Sequence, residues 1–341
     1  MASLASLLAR AGVRGRAAIL DGGLGQLIAD ELPDADISDG LWACGVAIRS
    51  PETIKRVHRQ YLDAGADIIT TATYQASERG YIVAGMATDS AEADDLMAAA
   101  LNLAVEARSE YLAQQPGTLR RPLIAASLGS IGATLGNSSE YTGDYGRHIA
   151  VADIQEFHLQ RFHMLARCLE VPKLCGQIDL VAIETVPSLV EAAAIVDALC
   201  QLEQHGVALP PAWISFTASS EGQIAHGEAI ADAARAVAAS PSVCATGINC
   251  VPQHYVPGLL THLRRATSMP IICYPNCQTW TGSVEGWANK DGQATPVEFA
   301  YNARLWVQAG AMVVGGCCRT TPAHIRALAE TIQSMEISVS V

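Results

Sequence analysis

Three cysteines in the last third of the chain have a spacing that could bring three thiols to one point. Cys250 ends a Gly-Ile-Asn-Cys segment, and the adjacent Cys317 and Cys318 end a Gly-Gly-Cys-Cys segment. Each segment follows a short apolar run that predicts a strand. Three thiolates that leave one coordination position open are the ligand set of a catalytic zinc site, because a structural zinc has a fourth protein ligand. The spacing alone leaves open three buried free cysteines, or a strained disulfide between Cys317 and Cys318.

A zinc site of this kind favours chemistry on a thiol over hydrolysis. Three thiolates donate strongly to the metal, which is then a weak Lewis acid and a poor activator of water. A thiol that coordinates a metal is deprotonated, and the thiolate is the nucleophilic form of sulfur. The cysteines therefore predict alkylation of a substrate thiol, with a zinc hydrolase as the more distant alternative.

Two carboxylates lie at the ends of other predicted strands. Asp21 follows the first apolar run, and Glu184 lies within the fourth, in an Ile-Glu-Thr segment. Acids placed after apolar runs are costly unless they are paired. Neither has a lysine or arginine next to it in sequence, which favours a substrate ammonium as the partner; a protein arginine is the alternative.

Short apolar runs alternate with longer amphipathic segments along the whole chain, a pattern typical of βα units around a parallel sheet. The predicted strands are 18–21, 67–73, 123–128, 180–185, 213–217, 244–249, 271–275 and 312–315. The predicted helices are 51–64, 91–114, 154–169, 188–204, 227–239, 254–266, 296–309 and 322–335. Eight such units without a break in composition favour an α/β fold, a single-domain (β/α)8 TIM barrel, over an open doubly wound sheet. We expect an N-terminal helix within 1–17, the barrel in 18–335 and a tail in 336–341.

Three connections are longer than a simple βα turn: 22–50 after strand 1, 129–152 after strand 3 and 276–295 after strand 7. All three follow the carboxyl ends of strands, which form the catalytic face of such barrels. The same face gathers the cysteines and carboxylates described above. We therefore expect these loops to cover a substrate, with ordinary solvated loops as the alternative.

Composition narrows the class of partner. The 341 residues are 50% hydrophobic, and 22 Lys and Arg against 34 Asp and Glu give a formal charge of −12. Nucleic acid and anionic membranes are therefore poor candidate partners, and no apolar stretch is long enough to span a membrane. The arginines of the first 20 residues faintly resemble a transit peptide, but a short helix is favoured, so a cytoplasmic protein is expected. The ten cysteines form no regular framework and no Cys-x-x-Cys pair, which predicts free thiols.

Several segments together resemble the homocysteine S-methyltransferase family, and within it the enzymes that use S-methylmethionine. They are Asp-Gly-Gly-Leu-Gly at 21–25, Ala-Gly-Ala-Asp at 64–67, Glu-Tyr-Thr-Gly-Asp-Tyr at 140–145, Gly-Ile-Asn-Cys at 247–250 and Gly-Gly-Cys-Cys-Arg at 315–319. The resemblance runs through nearly the whole chain, and the last two segments are highly specific as a pair. Gln26 departs from the family, which more often has threonine after the glycine turn.

The resemblance implies a (β/α)8 barrel that binds Zn2+ through Cys250, Cys317 and Cys318. It also implies that homocysteine places its thiolate at the open zinc position and its ammonium against Asp21 and Glu184. To these substrate-binding residues we add four that could contact the substrates: Thr73, Ser127, Asn249 and Tyr141.

The resemblance further implies a sulfonium methyl donor. Betaine-using relatives carry a longer C-terminal extension, and folate- or cobalamin-using relatives carry further domains. S-methylmethionine is therefore the favoured donor and S-adenosylmethionine the second, with selenocysteine or selenohomocysteine as alternative acceptors. A monomer or a small homo-oligomer is expected.

Overall fold

Each predicted apolar run forms a strand that pairs in parallel with its neighbour. The computed structural model describes residues 2–32, 40–280, 287–288 and 294–339. Its parallel strands are β1 Ala18–Ile19, β2 Ile68–Thr70, β3 Leu123–Gly129, β4 Leu180–Val186, β5 Ala212–Phe216, β6 Val243–Asn249, β7 Ile271–Tyr274 and β8 Ala311–Val314. They are hydrogen-bonded in the order β1, β8, β7, β6, β5, β4, β3, β2. A short antiparallel pair, Thr279–Trp280 with Trp287–Ala288, lies after β7.

The two ends of this sheet meet each other. Leu20 forms a parallel bridge to Ile68, the N–H of Asp21 donates to the carbonyl of Ile68 at 3.0 Å, and that of Asp67 donates to Ile19 at 2.7 Å. These bonds join β1 to β2 and close the sheet into a barrel. The predicted (β/α)8 fold is confirmed, and an open sheet is excluded.

Helices connect the strands on the outside of the barrel. They are α1 Leu4–Arg10, α2 Leu24–Glu31, α3 Ala43–Arg49, α4 Pro51–Asp63, α5 Glu78–Val83, α6 Ser90–Ala113, α7 Val151–Glu170, α8 Leu189–Gln204, α9 Ile230–Val237, α10 Val256–Ala266, α11 Pro296–Gln308 and α12 Pro322–Val339. Within the described ranges, no helix is long and apolar enough to cross a membrane.

The sequence predicted the long helices but missed α2, α3 and α5. α11 shows why the long ones were visible: Thr295 and Glu298 cap each other's backbone N–H groups, at 2.7 and 3.3 Å, and a proline opens the helix. α2 begins after Gly23 without a side-chain cap, and Trp42 before α3 has a φ of 47°. Such short helices depend on tertiary packing more than on local signals.

The barrel interior changes character along its axis. At the amino end it is filled by small and branched residues, and α1 packs Leu4, Leu7 and Leu8 into the same cluster as Leu20 and Leu123. α1 therefore closes the bottom of the barrel, as the short-helix interpretation of the N-terminus expected. The division of the chain into 1–17, 18–335 and 336–341 stays a prediction.

Towards the carboxyl end, the inward row of side chains becomes polar. Inward positions alternate along a strand, so the row that begins with Leu123 in β3 reaches Ser127, and the row that begins with Leu180 in β4 reaches Glu184. β6 similarly ends at Asn249. The polar layer lies directly under the loops of the catalytic face.

Ion pairs hold the opposite, amino-terminal face together. Asp67 accepts hydrogen bonds from Arg16 at 2.6 Å and from Arg120 at 2.9 Å. Asp179, directly before β4, accepts one from the buried Arg108 at 2.8 Å. Charged groups at this end stabilise the barrel and lie far from the polar layer.

Candidate metal centre and substrate pocket

The three predicted cysteines converge at the carboxyl ends of β6 and β8. The Sγ atoms of Cys250, Cys317 and Cys318 all lie within 4.8 Å of one another, and those of Cys250 and Cys318 are 3.5 Å apart. Zinc with tetrahedral ligands and Zn–S bonds of about 2.3 Å separates its sulfurs by about 3.8 Å. The cluster therefore has the dimensions of a site with three thiolate ligands.

Glycines and one strained residue allow the backbone to present these sulfurs. Cys250 has a φ of 53°, an uncommon conformation for a residue with a side chain. A Cβ on Gly247 would lie 1.9 Å from the carbonyl oxygen of Ile272, and one on Gly316 would lie 2.3 Å from Oγ1 of Thr320. Neither position could hold a larger residue without moving its strand or turn.

The last residue of β7 and the two residues after it hold all three cysteines through hydrogen bonds. Cys250 donates its N–H to Tyr274 at 3.3 Å, and Cys317 donates to Pro275 at 2.9 Å. The N–H of Cys318 donates to the side-chain oxygen of Asn276 at 3.1 Å. The Tyr-Pro-Asn segment is therefore the support of the cluster, a role that its sequence did not reveal.

Electrostatics fit the same site. Hydrogen bonds from Cys317 and Cys318 lower the pKa of Cys250 well below its ordinary value, while the contact with Cys250 raises the pKa of each of the other two. Ionisation of Cys250 therefore makes ionisation of Cys317 and Cys318 less favourable. A divalent cation removes that repulsion and allows all three thiols to ionise.

Asp21 and Glu184 are buried acids that have no cationic partner in the described part of the chain. Asp21 is 2% exposed and accepts a hydrogen bond from the N–H of Thr70 at 2.7 Å. Glu184 accepts one from the hydroxyl of Ser127. Burial raises the pKa of both carboxyls, that of Glu184 to about 7. A substrate ammonium would satisfy both acids and restore their ionised form.

Two of the other predicted residues already bond to their neighbours. The hydroxyl of Thr73 donates to the carbonyl of Ser127 at 2.8 Å. The side-chain oxygen of Asn249 accepts from Thr185 and from Ser215, both at 2.8 Å. Both residues order the polar layer under the pocket; their contact with substrate stays a prediction.

Tyr141 reaches the cysteines from the loop after β3. Its hydroxyl lies 3.4 Å from the Sγ of Cys250. This distance places the predicted loop over the cluster. Trp42, which precedes α3, is 43% exposed and covers Gly25. The side chain of Gln26 lies outside the described residues.

Glu191, a buried carboxylate whose role the sequence did not reveal, holds this loop in place through hydrogen bonds. Glu191 accepts hydrogen bonds from the N–H of Ile131 at 2.7 Å, from Nε2 of His158 at 2.8 Å and from the hydroxyl of Tyr145. Ile131 and Tyr145 flank the segment that carries Tyr141. In sequence, Glu191 stands three residues after a serine and resembles an ordinary helix cap, so its role was hidden.

Comparison with known proteins identifies the family. The family model for homocysteine S-methyltransferase matches residues 18–332. Homocysteine S-methyltransferase 1 of Zea mays is 38% identical over 344 residues, covering 98% of each chain, and that of Arabidopsis thaliana is 35% identical over 324 residues, covering 94% of each.

A solved structure has the same fold and the same extent. The metallated form of the homocysteine methyltransferase MmuM from Escherichia coli superposes with a TM-score of 0.78 at 32% identity, covering 95% of this chain and 99% of that one. The chain belongs to the homocysteine S-methyltransferase family and is an enzyme of the methyltransferase class.

Proposed function

We propose that this protein transfers a methyl group from a sulfonium donor, S-methylmethionine in the first place, to the thiol of L-homocysteine, with Zn2+ held by Cys250, Cys317 and Cys318. The observation that carries the proposal is the convergence of three sulfurs within 4.8 Å of one another above a polar layer that contains two buried acids. A thiol and an ammonium are the two ends of homocysteine, and this pocket has complementary groups for both.

Different residues bind the two ends of the acceptor, homocysteine. Asp21 and Glu184 bind its ammonium, and Ser127 and Thr70 orient the two carboxylates through the hydrogen bonds described above. Zinc, when bound by the three cysteines, supplies a Lewis acid that keeps a substrate thiol deprotonated at neutral pH. Fixing both ends of the acceptor aims its sulfur at the donor, and such positioning accounts for much of the rate of a bimolecular transfer.

The charge of the pocket supports a cationic donor. Asp21, Glu184 and the cysteines are all acidic, and in the described part of the chain none of them forms an ion pair with a lysine or arginine. An anionic donor would be repelled. A sulfonium is attracted, and its charge and that of the thiolate cancel as the methyl group moves. Tyr141 adds an aromatic ring at the same place.

The test of the reaction is methionine formation by the purified, zinc-loaded protein from homocysteine with S-methylmethionine, S-adenosylmethionine, betaine or no donor. We expect methionine with the sulfonium donors and none with betaine, S-methylmethionine being the better. The proposal would be contradicted if betaine were the only donor that gave methionine, or if none of the three donors gave any.

The test of the metal uses cysteine variants. Cys250→Ser and Cys318→Ser should each lose bound zinc and methyl transfer, because two thiolates do not complete the site. Cys175→Ser is the matched control, since Cys175 is an exposed free thiol outside the cluster. Zinc content by elemental analysis and the circular dichroism of each variant separate metal loss from unfolding. A Cys250→Ser protein that keeps both zinc and activity would refute the metal site.

A further inference from the structure

The loop after β3 carries Glu140, and one of its carboxylate oxygens has no hydrogen-bond partner among the described residues. Glu140 lies in the 3-10 turn Ser139–Tyr141, next to the tyrosine whose hydroxyl contacts Cys250. Its Oε2 atom is buried, and among the described residues nothing donates a hydrogen bond to it. A buried carboxylate oxygen without a donor or cation is unfavourable, so a native protein that keeps one calls for an explanation.

The backbone of this turn is held in place. A Cβ on Gly132 would lie only 2.4 Å from the backbone N of Glu140. The two segments of the loop are therefore in direct backbone contact. The turn is closed by hydrogen bonds from the N–H of Tyr141 to Ser138 at 3.1 Å and from that of Gly143 to Ser139 at 2.8 Å. Glu140 is therefore presented by a packed element that Glu191 anchors on both sides.

Glu140 also lies within the electrostatic field of the sulfur cluster. Burial raises its pKa to about 7, and the negative charge of Cys250 adds to that rise. Asp21 and Glu184 each have a hydrogen-bond donor from the barrel, whereas Oε2 of Glu140 has none. A cation that enters the pocket would supply the missing partner for Oε2 of Glu140.

We propose that Glu140 is the counter-ion that binds the positively charged sulfur of the methyl donor. This rests on the proposed function, because it gives the donor subsite of that same pocket. The ligand class is a small aliphatic sulfonium. Glu140 is a binding residue and takes no part in bond making.

The transfer itself sets the expected kinetic signature. The homocysteine thiolate donates an electron pair to the methyl carbon, and the S–CH3 bond of the sulfonium breaks with its electron pair left on the donor sulfur. The thiol proton leaves for solvent when homocysteine binds, and one cation and one anion become two neutral thioethers. A counter-ion stabilises the charged ground state at least as well as the transition state, so its removal raises KM for the donor without lowering kcat.

The experiment compares two ligands that differ by one methyl group and one charge. S-methylmethionine and methionine are titrated into zinc-loaded wild-type and Glu140→Gln protein by calorimetry. We expect the variant to bind S-methylmethionine about 10- to 100-fold more weakly, as for loss of a partly buried charge pair, with unchanged affinity for methionine. Asp144→Asn, which changes an exposed acid in the same loop, is the matched control and should alter neither affinity.

Two outcomes would overturn the assignment. Equal weakening of both ligands would show that Glu140 shapes the loop only, and unchanged binding of S-methylmethionine would show that the sulfonium lies elsewhere. Methionine formation, assayed in parallel on the wild-type protein, tests the reaction separately. A wild type that binds the sulfonium through Glu140 but forms no methionine would refute the proposed function and leave the donor subsite standing.

Discussion

The side-chain oxygen of Asn276 accepts a hydrogen bond from the backbone N–H of Cys318 across 3.1 Å. The backbone N–H of the same asparagine donates at 2.9 Å to the carbonyl of Val251, the residue after Cys250. Asn276 is 2% exposed and lies two residues after the end of β7, the strand between those that lead to the cysteines. One residue thus links the two halves of the sulfur cluster and fixes the distance between them.

Asn276→Leu should weaken zinc binding by about 10- to 100-fold, the usual effect of removing a group that orients a metal ligand. The N–H of Cys318 then has no acceptor, and the turn that carries its thiol loosens. Asn276→Asp keeps an acceptor oxygen and should retain more of the affinity. Competition with a chromogenic chelator measures both. Equal zinc affinity in the leucine variant and the wild type would show that the turn holds its shape without this bond.

Asp21→Asn and Glu184→Gln should weaken homocysteine binding while zinc content stays at the wild-type level. Each change removes a buried negative charge that the substrate ammonium would neutralise, and a charge-assisted hydrogen bond contributes about 1.5 to 3 kcal/mol. KM for homocysteine should therefore rise by about 10- to 100-fold, with a smaller change in KM for the donor. An unchanged KM for homocysteine in both variants would refute the ammonium role.

Glu184→Gln should also make the metal-free protein more stable at alkaline pH. Burial raises the pKa of Glu184 from its ordinary 4.5 to about 7, so between these values the folded state holds a proton that the unfolded chain has released. The free energy of unfolding of the wild type therefore falls as pH rises through that window. The glutamine variant does not undergo this loss of stability, which is on the order of 3 kcal/mol.

Urea unfolding of the apo proteins at pH 5 and pH 8 measures the effect. The advantage of the variant should be largest at pH 8 and shrink towards pH 5, because the wild-type carboxyl is then mostly protonated in the folded state. A variant that is less stable by the same amount at both pH values would show that Glu184 is not held in a costly ionised form. A buried ionised carboxylate that lowers stability is typical of a group retained for function.

The strands, and with them the convergence of Cys250, Cys317 and Cys318, could be predicted because both follow from local patterns. Buried parallel strands have apolar runs that stand out from the helices, and closing eight of them into a barrel brings the ends of β6 and β8 to one face. The inward position of Glu184 follows from alternation along β4. None of this required knowledge of a particular side-chain contact.

The supports of the site could not be predicted, because they depend on contacts between distant segments. Asn276 acts through a turn whose path is set by β7 and β8 together. Glu191 has the spacing of a helix cap, yet its carboxylate bonds to residues 60 and 46 positions away. Only the folded structure shows which donors meet it.

Glu191→Gln should therefore reduce methyl transfer from a distance. The carboxylate accepts from Ile131, Tyr145 and His158, and the amide of glutamine, with one acceptor oxygen and its own N–H groups, cannot satisfy three donors. We expect a loss of about 1 to 3 kcal/mol in the free energy of unfolding. We also expect kcat/KM for the donor to fall by about 10-fold, because the segment that carries Tyr141 is no longer held over the cysteines.

The matched control is Asp179→Asn, at the other end of the same βα unit. Asp179 also accepts three hydrogen bonds, from Arg108 and Arg121 at 2.8 Å and from the N–H of Ile124 at 2.9 Å, but it lies on the amino-terminal face. It should lose a similar amount of stability in urea unfolding while kcat/KM, measured well below the transition, stays unchanged. If both variants lose stability and activity in the same proportion, Glu191 contributes only to folding; if only Glu191→Gln loses activity, its hydrogen bonds position the loop over the metal centre.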